Sequence, residues 1–325
     1  MRAVEFVEHG GPEVLKVVEA DVPEPGPGQV SIDAAYVGVN FADLKARSDG
    51  YRVPSLPFRP GLELSGRVRA LGAGVSGLAV GQEVAALTQG GAYADVVVAD
   101  AATTFPLPDG VGLRTGATLP SVLPTAYALV HTVGRLQPGE TVLVQGAAGG
   151  VGTAVGQLAK AAGAAGVYGV VSGAAKAAYA RRYGYDDVFV GDFEEPVRAA
   201  TNGRGVDLAL DPVGGATLRA GLASLARFGR LVSYGNASGE AAWTVGQPEL
   251  YPRALSVAGF SVLTLAETAP DDLRTLAERA FATALDGTVT LPVTAEFPLQ
   301  EAAEAHRLMG ARTSTGKLLL RVAAS

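Results

Sequence analysis

The sequence predicts an α/β protein with two domains, one built around a doubly wound parallel sheet and the other rich in β-strands. The chain has 325 residues, which is about twice the length of a typical domain of roughly 150 residues. Short apolar runs broken by glycine and proline fill roughly the first 120 residues, whereas strand and helix signals alternate after Leu119. We therefore assign residues 123–265 to the parallel-sheet domain and residues 1–122 and 266–325 to the β-rich domain.

The β-rich part is predicted from its turn residues, because apolar and polar residues do not alternate strictly along its strands. Its apolar runs are Val30–Val39, Gly66–Leu71, Glu83–Leu87 and Ala94–Ala99. Clusters such as Pro23–Gly28 separate these runs, and this spacing favours a small barrel or sandwich. The helix Asp271–Leu285 and the strand Lys317–Val322 are expected to return to this domain.

The alternating part predicts a parallel sheet with helices on both faces. The predicted strands are Thr141–Gln145, Gly166–Val171, Val188–Val190, Val206–Leu210, Arg230–Tyr234 and a strand-like segment at Ser256–Leu263. The predicted helices are Thr125–Val133, Val151–Ala162, Ala174–Tyr183 and Gly215–Leu225.

Composition excludes several classes of function. The chain has no cysteine and three histidines, so disulfides, thiolate nucleophiles and cysteine-ligated zinc are excluded. His131 and His306 fall on predicted helices and are expected at the surface or on a helix face. The net charge of -6, with scattered Lys and Arg, offers no footprint for nucleic acid and no polybasic segment for a membrane. With no apolar leader and no membrane-length apolar stretch, we expect a cytoplasmic protein.

A glycine-rich turn follows the first strand of the alternating part. The pattern Ala147-x-Gly149-x-x-Gly152 opens a helix, as in units that hold the diphosphate of a dinucleotide at a helix N-terminus. The turn residues expected to contact the cofactor are Ala148, Gly149, Gly150 and Val151. The alternative is a tight turn without a ligand, but the strand–turn–helix–strand context favours a Rossmann nicotinamide site.

The end of the second strand favours NADPH over NADH. An NAD site carries an acidic residue there for the ribose 2′-hydroxyl, and no Asp or Glu occurs between Ala164 and Tyr185. Ser172, Gly173 and Lys176 stand there instead, and a hydroxyl with a cation suits a 2′-phosphate. Lys176 as an ordinary solvated helix residue is the alternative.

Six ordered segments resemble one family over most of the chain. They are Val39-Asn40-Phe41-Ala42-Asp43, Pro60-Gly61-Leu62-Glu63, Thr125-Ala126-Tyr127, Ala147–Gly152, Ser233–Gly239 and Thr315-Gly316-Lys317. In these the chain resembles the zinc-free quinone oxidoreductases, the ζ-crystallin-like branch of the medium-chain dehydrogenases/reductases. The resemblance implies a GroES-like substrate domain beside the Rossmann domain. It also implies that Thr125, Gly235, Asn236, Ser261, Val262 and Leu263 line the nicotinamide end of the cofactor.

The same resemblance argues against a metal site. Leu62 stands where the zinc alcohol dehydrogenases carry a histidine ligand, and Glu63 alone does not make a zinc site. Hydride transfer without a metal suits a quinone or a double bond conjugated to a carbonyl. Asn40, which ends a strand, is a candidate to bind the nicotinamide ribose or the substrate oxygen, with the capping of a turn as its alternative. Tyr51 is a candidate proton donor or positioning group, with packing as its alternative, and Asp43 is expected to cap a helix.

Two other functions remain open from the sequence. One is an enoyl reductase acting on a thioester, for which Arg47, Arg52 and Arg59 offer a loose basic loop. The other is a ζ-crystallin-like cofactor-binding protein with little turnover. In each case we expect a small-molecule ligand, no nucleic acid and no membrane, and a homodimer joined along the Ser256–Leu263 strand.

Overall fold

The structure is a computed structural model that describes residues 1–241 and 243–322. Its strands are β1 (Arg2–Glu5), β2 (Lys16–Glu19), β3 (Gln29–Val39), β4 (Glu63–Leu71), β5 (Glu83–Leu87), β6 (Val96–Asp100), β7 (Thr104–Pro106), β8 (Thr141–Gln145), β9 (Gly166–Val171), β10 (Asp187–Val190), β11 (Val206–Asp211), β12 (Leu225–Ser233), β13 (Ser256–Gly259), β14 (Val293–Pro298) and β15 (Lys317–Arg321).

Eleven α-helices connect these strands within the described residues. They are α1 (Phe41–Asp49), α2 (Leu113–Gly116), α3 (Val122–Tyr127), α4 (Gly150–Ala161), α5 (Ala174–Arg181), α6 (Glu194–Ala200), α7 (Gly215–Ala223), α8 (Gln247–Leu250), α9 (Val262–Thr268), α10 (Pro270–Leu285) and α11 (Ala302–Gly310). A π-helical turn, Ala128–Thr132, continues α3. No helix of the described residues combines the length and the apolar character that crossing a membrane requires.

The chain divides into two units, which we describe separately. The first comprises Met1–Val122, Leu263–Phe281 and the chain from Leu291 onward. The second comprises Leu123–Val262 and Ala282–Thr290.

The first unit is built on a mostly antiparallel sheet. The strand order is β14-β15-β3-β4-β5-β7, and β6 pairs with the N-terminal half of β3. The long strand β3 is therefore central, and its C-terminal half pairs with β15 on one side and β4 on the other. Its buried side chains, such as Val30 and Ile32, pack with Leu64, Leu318 and Leu320 in the core. This pairing brings the chain's last strand beside its third.

The second unit contains the predicted parallel sheet. The order is β10-β9-β8-β11-β12-β13, and every neighbouring pair is parallel. β8 is buried along its whole length, as expected of a central strand covered on both faces. The strand order reverses direction between β8 and β11, which is where doubly wound folds bind ligands at the carboxyl edge. The predicted fold class is confirmed.

Two local expectations were wrong. The strand predicted at Ser256–Leu263 ends at Gly259, and Val262 and Leu263 begin helix α9 with buried side chains. His306 lies on α11 but faces the core with 1% exposure, and its ring contacts Tyr93 through a hydrogen bond of 2.9 Å between Nε2 and Oη. A buried hydroxyl partner makes this burial possible, and sequence patterns do not reveal such a partner.

Candidate functional site

The glycine-rich turn lies at the carboxyl end of the central strand β8. Gly146 has φ +66°, and Gly149 is the N-cap of the twelve-residue helix α4. Thr153 closes the first turn of this helix by donating from Oγ1 to the Gly149 carbonyl at 2.8 Å. The first N–H groups of a helix have no acceptor within it, so the turn offers donors and a partial positive charge to an anion.

Glycine is required at 152 because the helix start touches the turn backbone. A Cβ there would lie 2.4 Å from the Gly146 oxygen and 2.7 Å from the Ala147 Cα. At Gly149, by contrast, the nearest atom to a Cβ is the Gly146 oxygen at 3.4 Å, and Gly149 is exposed. The bare backbone at 149 therefore leaves room for a ligand, and Gly152 serves internal packing.

A tyrosine that the sequence analysis did not single out supports the turn. Tyr185 is buried, and its hydroxyl donates to the Gly152 carbonyl at 2.6 Å. A Cβ at Gly169, on β9, would lie 2.7 Å from the Ala147 Cβ and 2.9 Å from the Tyr185 ring. The turn is thus packed against the neighbouring strand and a fixed aromatic side chain, which makes it a preformed feature.

Two buried polar groups lie where the strand order reverses. Gln145 ends β8 and Asp211 ends β11, one position beyond the paired residues Val144 and Leu210. Within the described residues, neither Nε2 of Gln145 nor Oδ2 of Asp211 has a hydrogen-bond partner. Burial raises the pKa of Asp211 to about 6, although the N–H groups of Val213 and Gly214 donate to its other oxygen. Leaving such groups without a partner is costly, so each calls for a polar partner, either a water molecule or a ligand group.

The end of β9 carries the residues predicted to select the cofactor. Ser172 is exposed, Gly173 is the N-cap of α5, and Lys176 lies half-buried in the first turn of that helix. Arg181, further along α5, donates to Asp187 at 3.1 Å and is therefore engaged in an ion pair. The structure thus brings Ser172 and Lys176 to one helix N-terminus at the carboxyl edge of the sheet.

The remaining predicted cofactor residues are spread over three segments. Thr125 is buried in α3. Gly235 and Asn236 follow β12, and a Cβ at Gly235 would lie 2.8 Å from the Pro212 oxygen. Asn236 is exposed, and its amide already bonds the Glu240 carbonyl and the Ser238 hydroxyl. Ser261 is exposed, whereas Val262 is buried at the start of α9.

In the first unit, Asn40 and Asp43 form the start of helix α1. Asn40 is the N-cap, and its N–H donates to Oδ2 of Asp43 at 2.8 Å. The other oxygen of Asp43 accepts from the Gly61 N–H at 3.0 Å. Asp43 therefore caps the helix as expected, and burial raises the pKa of this carboxyl to about 7.

A cavity lies beside this helix start in the first unit. Its walls include Asp43, Tyr51, Leu62 and Leu263, together with the aromatic ring of Phe58. Tyr51 is 45% exposed, so its phenol reaches solvent at the rim. The cavity thus brings together Tyr51 and Leu263 from the predicted site, and its walls are mostly apolar, but its volume of about 10 Å³ admits no more than about one water molecule.

Two arginines of the predicted basic loop, Arg47 and Arg52, are engaged in contacts within the first unit. Arg52, at the rim, pairs with Glu267 and also donates to Gln89 at 3.3 Å. Arg47 is buried and donates to the Gly10 carbonyl at 2.8 Å, so it is no part of a basic surface. The expectation of a loose basic loop was therefore wrong for Arg47, because its guanidinium holds the N-terminal segment instead.

A buried ion pair lies under Asn40. Glu63, at the start of β4, is fully buried and accepts from Nζ of Lys317, at the start of β15, at 2.6 Å. Both residues belong to segments that carried the family resemblance, although no sequence pattern indicated their contact. Within the described residues, no group of three or more His, Cys, Asp and Glu side chains is placed to hold a metal ion.

Comparison with known proteins places these features in a family context. Two family models match the chain, an alcohol dehydrogenase GroES-like domain at residues 26–109 and a zinc-binding dehydrogenase at residues 150–281. A quinone oxidoreductase of Pseudomonas aeruginosa is 35% identical over 98% of this chain and 99% of its own length.

One solved structure and one longer protein extend the comparison. Escherichia coli quinone oxidoreductase complexed with NADPH matches with a TM-score of 0.93 and 32% identity, covering 99% of this chain and 100% of that chain. A phthioceranic/hydroxyphthioceranic acid synthase of Mycobacterium tuberculosis is 34% identical over 92% of this chain. The match covers only 14% of the synthase, so the chain corresponds to a small part of that protein.

Proposed function

The chain belongs to the quinone oxidoreductase family of the medium-chain dehydrogenases/reductases, and we propose that it uses NADPH to reduce a quinone or a carbonyl-conjugated double bond without a metal. The preformed turn from Gly146 to Gly152 is the observation that carries this proposal. It presents helix N–H groups at the carboxyl edge of β8, and Lys176 lies in the first turn of the helix after the next strand. This arrangement suits a diphosphate with a phosphorylated ribose.

The chain's residues fit the cofactor at several points. Ala148, Gly149, Gly150 and Val151 would hold the diphosphate, and Ser172, Gly173 and Lys176 the 2′-phosphate. The unpartnered atoms of Gln145 and Asp211 fit a polar ligand near the centre of the sheet edge. Thr125, Gly235, Asn236, Ser261, Val262 and Leu263 would line the nicotinamide end, as the family resemblance implies.

A catalytic zinc does not fit the residues present. The chain has no cysteine, and the buried apolar side chain of Leu62 stands where a histidine ligand would be needed. The carboxylate of Glu63 is held by the ammonium of Lys317. A cation next to this ammonium would be repelled, so the proposed chemistry uses no metal.

The substrate would bind at the mouth of this cavity in the first unit, because the cavity itself, at about 10 Å³, is too small for a quinone. NADPH supplies a hydride when bound, and the protein's task is to orient the acceptor and exclude water. Asn40 would donate a hydrogen bond to the acceptor oxygen, and Tyr51 would orient the substrate or supply a proton through its phenol. A quinone product can take its proton from water, so Tyr51→Phe is expected to keep most of the quinone turnover.

A thioester substrate is the second candidate function. The similarity to a segment of an acid synthase favours it, and such a substrate would also be a conjugated carbonyl. The engagement of Arg47 and Arg52 in internal contacts weakens the case for a basic entrance to a carrier-bound substrate. A free quinone or enone is therefore our first proposal.

Steady-state oxidation of NADPH tests these candidates together. We expect turnover with 1,4-benzoquinone or 9,10-phenanthrenequinone, and a preference for NADPH over NADH of at least tenfold in kcat/KM. Turnover restricted to a crotonyl thioester would favour the second candidate. NADPH binding without turnover of any acceptor would contradict both and indicate a binding protein.

We also propose a cytoplasmic homodimer. β13 is the last strand of the parallel sheet and pairs only with β12 within the described residues, so its outer edge is available for another strand. Sedimentation equilibrium should give twice the monomer mass, and Ala258→Lys, which places a charge on this edge, should shift the protein toward the monomer.

A further inference from the structure

The buried ion pair of the first unit is satisfied at every polar atom. Nζ of Lys317 donates to Oε1 of Glu63 at 2.6 Å, to Oδ1 of Asn40 at 3.0 Å and to the Val39 carbonyl at 3.3 Å. Oε2 of Glu63 accepts from the Ser121 N–H at 2.9 Å. Lys317 and Glu63 have side-chain exposures of only 3% and 0%. The pair is therefore a built part of the fold rather than a surface contact.

The backbone around the pair is shaped to admit it. Gly38 lies on β3, and a Cβ at this position would stand 2.4 Å from Oε1 of Glu63 and 2.7 Å from the Ala117 carbonyl. Only glycine leaves space for the carboxylate here. The register of the sheet also brings β4 and β15 to opposite sides of β3, which places Glu63 and Lys317 within reach of each other.

Asn40 is clamped between the two charges. Its Oδ1 accepts from Lys317 at 3.0 Å, and its Nδ2 donates to Oε1 of Glu63 at 2.9 Å. The reversed amide would set its oxygen against a carboxylate and its NH₂ group against an ammonium. The ion pair thus selects one of the two amide orientations.

The clamped amide keeps capacity for a ligand. Asn40 is half-buried, so part of the residue reaches the surface. The second hydrogen of Nδ2 is directed at the Gly38 carbonyl at 3.5 Å, a long and weak hydrogen bond that a ligand oxygen would have to replace. An ammonium on the amide oxygen withdraws electron density from the nitrogen, which makes this hydrogen a better donor.

Stability alone does not account for a buried pair of this kind. Replacing such a pair with apolar residues of similar volume is often neutral or stabilising, because the charges must lose their hydration on burial. We propose that Lys317 and Glu63 are positioning residues that hold the Asn40 amide with Nδ2 as a hydrogen-bond donor toward the carbonyl oxygen of the substrate. This inference rests on the proposed function of the chain.

A kinetic cycle separates positioning from a structural role. Asn40→Ala should lower kcat/KM for a quinone about tenfold, the loss expected of one hydrogen bond to the substrate. The double variant Lys317→Met with Glu63→Gln removes both charges together and leaves no charge unpaired. It should lower kcat/KM by a similar factor, mainly through kcat, and should lower it no further when Asn40 is already alanine.

A partly buried pair in the other unit supplies the matched control. Arg230 and Glu140 contact each other through two guanidinium nitrogens, with side-chain exposures of 14% and 24%. The double variant Arg230→Met with Glu140→Gln should change the melting temperature and leave kcat/KM within twofold. If the double variant Lys317→Met with Glu63→Gln also leaves kcat/KM within twofold while Asn40 is intact, the pair is merely structural and the inference fails.

A spectroscopic test does not need turnover or folded variants. The chain has three asparagines, Asn40, Asn202 and Asn236, so selective ¹⁵N labelling yields few side-chain signals. One Nδ2 hydrogen of Asn40 should exchange with solvent at least tenfold more slowly than those of the exposed Asn202 and Asn236. Equal exchange rates at all three would overturn the clamped orientation.

The failures of the two proposals are distinguishable. Wild-type protein without turnover of any acceptor would refute the proposed function and leave the exchange result standing. Turnover that survives Asn40→Ala unchanged would refute the role of Asn40 as a donor to the substrate, and the positioning role of the pair with it.

Discussion

The glycine at 152 offers a sharp test of how the turn is built. In Gly152→Ala the new Cβ would lie 2.4 Å from the Gly146 oxygen and 2.7 and 2.8 Å from Cα and C of Ala147. All three are backbone atoms, so none can rotate away. Overpacking of this kind costs about 3 kcal/mol, and the better helix propensity of alanine returns about 1 kcal/mol. We expect a net loss of about 2 kcal/mol.

Two measurements check this value. A loss of about 2 kcal/mol should lower the melting temperature by roughly 4–8 °C, given about 2–4 °C per kcal/mol for a unit of this size. Displacement of the turn should also weaken NADPH binding about tenfold, measured by fluorescence titration, which corresponds to about 1.4 kcal/mol. Gly152→Ala with an unchanged melting temperature and an unchanged NADPH Kd would refute this account of the turn.

Two other glycines make the comparison specific. At Gly149 a Cβ meets only the Gly146 oxygen at 3.4 Å, so Gly149→Ala should fold normally and yet bind NADPH at least tenfold more weakly. At Gly221, inside α7, the nearest atom is Cδ1 of Leu231 at 3.5 Å. Gly221→Ala should therefore gain about 0.5–1 kcal/mol of stability and leave NADPH binding unchanged.

Three further substitutions test the charged groups. Lys176→Glu should weaken NADPH binding about tenfold or more and leave NADH binding within threefold, because it sets a carboxylate near the 2′-phosphate. Equal losses of affinity for both cofactors in a titration would contradict the assignment of Lys176 to the 2′-phosphate. Burial lowers the pKa of His306 to about 3, so below pH 6.5 the unfolded chain binds a proton that the folded chain does not. In chemical unfolding experiments, the free energy of unfolding of the wild type should fall by about 1.4 kcal/mol per pH unit from pH 6 to pH 4, relative to that of His306→Gln. If the free energies of the two proteins run parallel with pH, this prediction is wrong. The pKa of the Asp211 carboxyl is raised to about 6, so the folded protein loses stability as pH rises from 4 through 6 and this buried carboxyl ionises. The Asp211→Asn variant should therefore be more stable than wild type by about 1–2 kcal/mol at pH 8 but not at pH 4. A variant less stable than wild type at pH 8 would show that the carboxylate is needed in its charged form.

The local patterns of the chain predicted much of the second unit. Thr141–Gln145 and Gly166–Val171 are strands with the predicted bounds, and the helix after the glycine-rich turn begins one residue before the predicted start. These elements are specified by short apolar runs and turn glycines, which lie close together in the chain. The prediction of a strand over Ser256–Leu263 was wrong at its end, because a short apolar run is compatible with both a strand and the start of a helix.

The candidate site was predicted unevenly. The glycine-rich turn could be predicted because a phosphate-binding turn has a characteristic spacing and the strand before it is apolar. That this turn and Lys176 bind the cofactor stays a prediction. Tyr185 was missed because its contact with Gly152 depends on how the segment between α5 and β10 packs against α4, and no spacing in the sequence records that packing. His306 was misjudged for the same reason, since its partner Tyr93 is 213 residues away in the chain.

The sequence alone thus predicts the fold class and the glycine-rich turn and excludes thiolate chemistry, because each of these depends on neighbours in the chain or on composition. That the turn is preformed depends on its packing against Tyr185 and the neighbouring strand. The surroundings of Asn40 depend on folding. Lys317 and Glu63 are 254 residues apart, and they meet only because β15 and β4 flank β3 in one sheet. Burial then gives their charges the strength to orient an amide, since the same charges in water would be screened by solvent.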